Sequence, residues 1–281
     1  MIHRAFLILG IGIAPLASHA QSTDPAVTVF GVTKNAYYQQ TNAASLNYSM
    51  SGIYAFIEGT GISSAYPSQP VTLTAPNGAT YTLETSNAFS EPSLRFDQFE
   101  TGFANQASLD ALFPDGNYTF ESGGQGYRLQ LAGSYASAPM VEFSSGRWED
   151  GKLLLTPEEA ASDWRITSSF TNANGFRSIA INDAAFSFDY FTYVIGPFPG
   201  TVSALIAGNS LKPGTTYHIE VEFDNTVDFI NPTAGELRNG FALYSTTTFL
   251  SVTVVPEPET YVLVLAGLGL VGIAARRKLA K

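Results

Sequence analysis

The chain of 281 residues contains no cysteine. Disulfide staples, thiolate metal sites and a cysteine nucleophile are therefore excluded. Stability must come from a packed core, which a chain of this length is large enough to bury. Basic residues are the second shortage: 14 Lys and Arg stand against 24 Asp and Glu, a formal charge of −10. Removing Arg4 with a leader, and four cations and two carboxylates after Val255 with a tail, leaves 9 cations against 22 carboxylates, a net −13. A surface of that sign repels phosphate backbones and excludes nucleic acid as a partner. The chain also has no phosphate-cradling loop, no dinucleotide fingerprint, no basic patch and no Gly-x-Ser-x-Gly elbow. The residues thus call for no cofactor.

Phe (20), Tyr (14), Gly (25) and Pro (15) are plentiful, with only 14% of residues charged. That mixture of aromatics and turn formers favours short strands over helical bundles. The N-terminus reads as a secretory signal peptide: His3 and Arg4, an apolar stretch Ala5 to Ala14, Pro15, and then Ser18-His19-Ala20. Cleavage is expected between Ala20 and Gln21, with the Sec translocon and a signal peptidase as partners. At the other end, Val255-Pro256-Glu257-Pro258-Glu259 precedes an apolar run from Tyr261 to Ala275 and the basic cluster Arg276-Arg277-Lys278. The run is 15 residues, slightly short of the roughly 17–25 of a spanning helix, with flanking cations extending its reach. Basic residues stay cytoplasmic, which places residues 21–255 outside that membrane. The two prolines keep the preceding segment extended, where a protease can grip it.

These three parts, in this order, resemble the PEP-CTERM sorting signal. The resemblance covers residues 255–281. It implies an exported protein of a Gram-negative bacterium that makes extracellular polysaccharide, processed near Pro256-Glu257-Pro258 by an exosortase-type membrane protease. It further implies anchoring by the C-terminal helix before processing, and then a place at the cell surface or in the extracellular matrix.

Between the signals the chain alternates as strands do. Val27 to Val32, Ile53 to Glu58, Val71 to Thr74 and Thr80 to Leu83 are strand candidates, the last two flanking the turn Pro76-Asn77-Gly78. One short helix is expected over Asn105 to Phe113, stopped by Pro114. After it, Pro114-Asp115-Gly116 leads into Tyr118-Thr119-Phe120, and Tyr127 to Leu131 alternates again. Small residues and a proline at Ser134 to Pro139 suggest a boundary. Beyond it Met140–Phe143, Lys152–Leu155, Trp164–Phe170, Ser178–Ile181, Val202–Ile206, Thr216–Phe223 and Phe241–Val254 are expected strands. Leu211 to Val221 resembles the turn and penultimate strand of a fibronectin type III domain, in which a tyrosine, here Tyr217, bonds back to the backbone. Tyr118 repeats the cadence. The expected fold is therefore mainly β, with one or two antiparallel Ig- or fibronectin III-like sandwich lobes, a signal peptide and a C-terminal hydrophobic helix. The expected divisions are 1–20, a β-rich lobe 21–136, a sandwich 137–254 and the sorting signal 255–281. Trp148 and Trp164 are expected in the core.

Candidate chemistry is sparse. His218 shares a strand face with Glu220 and Glu222, which offers either an oriented base, a weak metal site or simply a polar outer face. Glu149 with Glu158, or Asp183 with Asp189, are conceivable glycosidase pairs, and Asp224, Asn225 and Asp228 are expected to cluster in one loop after a strand, an oxygen-rich loop of the type that can hold calcium. The aromatic run Phe186, Phe188, Tyr190, Phe191 and Tyr193 offers rings to stack on sugars or, where Phe186, Phe188 and Tyr190 share one face, a core strand. None of these patterns defines a catalytic or metal site. The residues thus point to a non-enzymatic exported protein of the envelope or matrix, associated with exopolysaccharide or biofilm. The alternative is a carbohydrate-binding module or a carbohydrate-active hydrolase or lyase.

Overall fold

The computed structural model describes residues 27–59, 70–86, 93–97, 102–122, 125–170, 173–185, 189–195, 200–230 and 239–256, with Ala266 and Leu268 beyond them. In chain order the elements are β1 (Val27–Gln40), β2 (Leu46–Gly59), β3 (Thr72–Thr74), β4 (Thr80–Thr82), β5 (Glu84–Ser86), β6 (Ser93–Asp97) and α1 (Gln106–Leu112). Next come β7 (Gly116–Ser122), β8 (Gln125–Leu131), β9 (Met140–Phe143), β10 (Arg147–Glu149), β11 (Lys152–Leu155) and α2 (Pro157–Ala161). The series closes with β12 (Trp164–Phe170), β13 (Phe176–Asp183), β14 (Asp189–Ile195), β15 (Gly200–Ile206), β16 (Thr216–Ile230) and β17 (Asn239–Val254). The protein is mainly β, as its alternation and turn content require.

Two compact units emerge, and neither is a continuous stretch. One takes residues up to Ala36, Met50–Tyr135 and Asn225–Ser245; the other takes Tyr37–Ser49, Ala136–Asp224 and residues from Thr246 on. One change of unit falls between Tyr135 and Ala136, within the small-residue stretch 134–139. The other four fall inside β1, β2, β16 and β17. These four long strands follow the hydrogen-bonded order β16-β17-β1-β2.

In the first unit, β2 is followed by β6 and β5, and a four-stranded sheet runs β4-β3-β7-β8. Both contribute to one core, because each strand turns alternate side chains inward. Phe30 and Val32 of β1, Ile53, Ala55 and Ile57 of β2, Leu73 of β3, Tyr118 and Phe120 of β7 and Leu129 and Leu131 of β8 are all buried there. Phe30 meets Phe120 edge-on at 5.8 Å. Helix α1 adds Leu109; Asn105 caps it by accepting the Ser108 N–H, and Phe113 plugs its end. The β3–β4 hairpin forms at the expected turn Pro76-Asn77-Gly78. Gly78 alone takes positive φ, at 85°, and Ala75 N–H and C=O close a three-residue loop onto Ala79 and Gly78.

In the second unit, β14-β13-β16-β17 form one layer and β15-β12-β9 the other. Strand β11 adds to β17 in parallel and carries β10 on its far side. Ile179, Ile181, Ile219, Val221, Phe223, Leu250, Val252 and Val254 from the first layer pack against Trp164, Ile166, Val202, Ala204 and Ile206 from the second. Trp164 lies wholly in this core, stacked on Phe143 at 5.2 Å, while Trp148 is only half-buried at its rim. Two local features went unread in the sequence. Asp150 and Gly151 both take positive φ, making the tight β10–β11 hairpin. Thr156 and Glu159 make a reciprocal capping box with Pro157 in the first turn of α2.

Both tyrosine corners form. Tyr217 Oη accepts the Lys212 N–H at 2.8 Å in the second unit, and Tyr118 Oη donates to the Pro114 carbonyl at 2.9 Å in the first. Among the described residues no helix is long and apolar enough to cross a membrane. The expected C-terminal helix falls outside them apart from Ala266 and Leu268, as does the signal peptide with Ala20 and Gln21.

Candidate functional site: the end of the last strand and the outer face of the second unit

The sorting motif begins where the sheet stops. Along β17, Leu250, Val252 and Val254 point inward and are buried, while Thr253 meets the Thr216 hydroxyl at 2.9 Å. The Val254 carbonyl accepts the Gly214 N–H at 2.8 Å, and the Val254 N–H donates to the Thr215 carbonyl at 3.1 Å. Val255 continues the parallel ladder by one residue, its N–H reaching the Leu155 carbonyl at 2.9 Å. Pro256 has no N–H and cannot extend that ladder. It is half-buried, and a methyl group on Gly214 would lie 3.9 Å from its ring. The turn that holds this end, Lys212 to Thr215, is itself fixed by the Tyr217 corner. The fibronectin-like segment therefore positions the first residues of the motif. Glu257, Pro258, Arg276, Arg277 and Lys278 lie outside the described residues.

A second feature is the outer face of the β14-β13-β16 layer. Cross-strand partners share a face, so the register makes rows: Tyr193, Ser178 and Glu222; Phe191, Ala180 and Glu220; and, at the far end, Asn182 with His218. Phe176 joins the aromatic side. Its ring lies 5.6 Å from Tyr193 and 6.2 Å from Phe191, both nearly parallel to it. Tyr193 is 38% exposed. Small residues thus lie between an aromatic ridge and a pair of carboxylates, with exposed His218 beyond. Of the aromatic run, Tyr190 packs on the core, as the core-strand alternative has it. Phe186 and Phe188 fall outside the described residues. The outward rings are Phe191 and Tyr193, because β14 enters the sheet at Asp189 and its parity turns Tyr190 inward. Their partner Phe176 is remote in sequence, and only the register reveals it.

The remaining candidates do not converge. Glu149 is paired with Arg147 across one residue, and Glu158 lies in the first turn of α2. Asp183 accepts the Ala185 N–H at 3.1 Å in a local turn. Asp224, Asn225 and Asp228 do not form a loop: all three lie within β16, where alternation sends Asn225 to the face opposite the two aspartates. Asn225 donates to the Ser134 carbonyl and Asp228 accepts the Gln130 N–H. Among the described residues no group of three or more His, Cys, Asp or Glu is placed to hold a metal ion.

One polar cluster was not anticipated. Lys34 stands on the core side of β1 in phase with Phe30, Val32 and Ala36, and is fully buried. Its ammonium lies 2.6 Å from Asp110 and 2.6 Å from Asp115, and Tyr244 Oη donates to Asp115 at 2.6 Å. A lone cation on the apolar phase of a strand was the available signal.

Comparison with known proteins bears first on the tail. The PEP-CTERM protein-sorting motif matches residues 254–278, starting on the last residue of β17. The chain therefore carries the sorting motif of exported, surface-directed proteins. No curated protein matches. Similar solved structures include a Ca2+-stabilised adhesin with which an Antarctic bacterium binds ice, at 18% identity and TM-score 0.26 over 82% of this chain and 50% of that one. Another is a 1.5-MDa bacterial ice-binding adhesin, at 14% identity and TM-score 0.27 over 83% and 67%. A third is the human OSCAR ligand-binding domain, at 11% identity and TM-score 0.23 over 77% and 97%. The chain spans half the length of the first of these structures.

Proposed function

We propose that the protein is a non-enzymatic component of the cell envelope or extracellular matrix, delivered by its PEP-CTERM motif and associated with exopolysaccharide. The observation that carries this reading is the match at residues 254–278, set directly after a completed β body. The signal peptide read at residues 1–20 supports export through the Sec translocon, with removal by signal peptidase, and the basic residues Arg276 to Lys278 support a transient anchor. An exosortase-type protease is the processing partner. The carboxylates that a hydrolase would need have structural partners at Glu149 and Asp183, which favours a non-catalytic role. Expression of the full chain and of a chain lacking residues 255–281, followed by cell fractionation, tests the address. The full chain should reach the surface or matrix fraction and the shortened one should not. Equal distribution of the two would sink the proposal.

A carbohydrate-binding module is the second reading, favoured by the outer face of the second unit. The C–H face of a sugar packs on aromatic rings such as Phe191 and Tyr193, while Glu220 and Glu222 accept hydroxyl hydrogen bonds. Calorimetric titration of residues 21–256 with exopolysaccharide, for wild type and Tyr193→Ala, is the direct check. Binding weakened by the substitution supports this reading; equal binding, or none, removes it.

A further inference from the structure

On the outer face of β14-β13-β16 the aromatic rings and the carboxylates are in register with one another. Phe191 shares a row with Ala180 and Glu220, and Tyr193 shares the next with Ser178 and Glu222. The two rings are 5.8 Å apart, centroid to centroid. Neighbouring strands lie about 4.8 Å apart, so the backbone carrying each ring is about 10 Å from the backbone carrying its carboxylate. The small side chains of Ser178 and Ala180 stand between them. A polymer laid along the strands therefore meets the same pair, one ring and one carboxylate, in two successive rows.

The carboxylates have no outward cation beside them on these strands. Among the described paired residues of β13, β14 and β16 the one Lys or Arg is Arg177, which is fully buried and in phase with the core residues Ile179 and Ile181. Strand β17, on the other side of β16, contains neither Lys nor Arg. Hydroxyl groups satisfy a carboxylate on any sugar and select nothing. An ammonium adds charge attraction to its hydrogen bond, and a uronate adds repulsion. Glu220 and Glu222 are half-buried, where salt screens a charge less than on an open surface. The whole body draws in positive ligands as well, since between the two signals 9 cations stand against 22 carboxylates.

We infer that this face takes a polysaccharide bearing free amino groups, with its sugar rings on Phe191 and Tyr193 and its ammonium groups at Glu220 and Glu222. The inference rests on the carbohydrate-binding reading above and adds the charge of the ligand to it. Amino and N-acetylated forms of one backbone present the same C–H faces, so the rings do not tell them apart; the carboxylates do.

Calorimetric titration of the full chain at low salt, with three soluble probes of equal length, tests this: a glucosamine oligosaccharide, its N-acetylated form and an oligogalacturonate. The glucosamine form should bind about five-fold more tightly than the N-acetylated form, and the galacturonate should not bind. Glu220→Gln combined with Glu222→Gln should abolish the preference and leave the affinity for the N-acetylated form in place. Removing equal charge at the exposed Glu121 and Glu142, by Glu121→Gln with Glu142→Gln, should preserve it. Equal affinity for the two glucosamine forms, or tighter binding of the galacturonate, overturns the inference and leaves the carbohydrate reading standing. Loss of the preference in the Glu121 and Glu142 variant also overturns it, because overall charge and not this face would then select the ligand. Binding of no probe overturns the inference, and the carbohydrate reading falls with it only if exopolysaccharide is left unbound too.

Discussion

Lys34 shows how a single residue is made tolerable in a core. Its buried ammonium is satisfied by two half-exposed carboxylates and lies over the Tyr244 ring, 5.7 Å from the centroid. Burial raises the Asp115 carboxyl, but hydrogen bonds from Lys34, Tyr244 and the Gly133 backbone, with the Lys34 charge, outweigh it and hold the group below the usual carboxylate range. Burial, followed by the hydrogen bond to Asp115, pushes the Tyr244 hydroxyl above the usual phenol range. Because the folded Asp115 lies below its unfolded value of about 3.9, its contribution is complete above that pH and is lost as pH falls through the folded pKa. Asp115→Asn should therefore lower the Tm at pH 7, and the gap between the two proteins should close as the pH falls below about 4. A gap that stays constant with pH would mean that Asp115 acts only as a neutral acceptor. At the other corner, Tyr217→Phe leaves the Lys212 N–H without its acceptor and should cost about 1 kcal/mol. Because that turn holds the end of β17, amide exchange at Val254 and Val255 should quicken. Tyr118→Phe should cost a similar amount without touching those two amides.

Short apolar-rich strands were legible residue by residue: β9, β11 and β12 match their sequence-based bounds. The long strands were read short, and the reason lies in their polar centres. Strand β1 was read only to Val32, because Thr33, Lys34 and Asn35 break the pattern; the pattern is restored by Asp110 and Asp115, which are remote in sequence. Strand β16 was ended at Phe223, because Asp224 and Asn225 look like a loop. There Asn225 finds Ser134, and Asp228 finds the Gln130 N–H. Tertiary partners decide such segments, and no local pattern carries them. The candidate site divides the same way. Val255 and Pro256 stand out in the sequence, and Phe191 and Tyr193 belong to its aromatic run, whereas their partner Phe176 depends on the pairing of β13 with β14. Helix α2 is a contrasting case, since its capping box was present in the sequence and passed over because only five residues follow. Thr156→Ala should remove that box, costing about 1 kcal/mol, visible as a lower urea midpoint at unchanged m-value. A midpoint equal to wild type would show that α2 is held by Ala160 packing alone.

At the scale of the molecule, the expectation of lobes at 21–136 and 137–254 meets interleaved segments. Residues 37–49 belong with the second unit, and within it fully buried Gln40 exchanges two 2.9 Å hydrogen bonds with the backbone of Val141. A fragment of residues 137–254 lacks those residues and should give a collapsed amide spectrum, whereas residues 27–256 should give a dispersed one. A dispersed spectrum from the shorter piece would show that the second unit stands without β1 and β2. The place of β17 has a further consequence, for the timing of folding. This strand, sixteen residues ending at Val254, lies between β16 and β1 and also receives β11. Among the described strands it is the last to be synthesised. Strands that emerge early must therefore wait for a neighbour that arrives late, a high-contact-order closure of the kind that folds slowly. The sorting motif starts at Val254, so the residues that complete this strand and the first residues of the motif are made together.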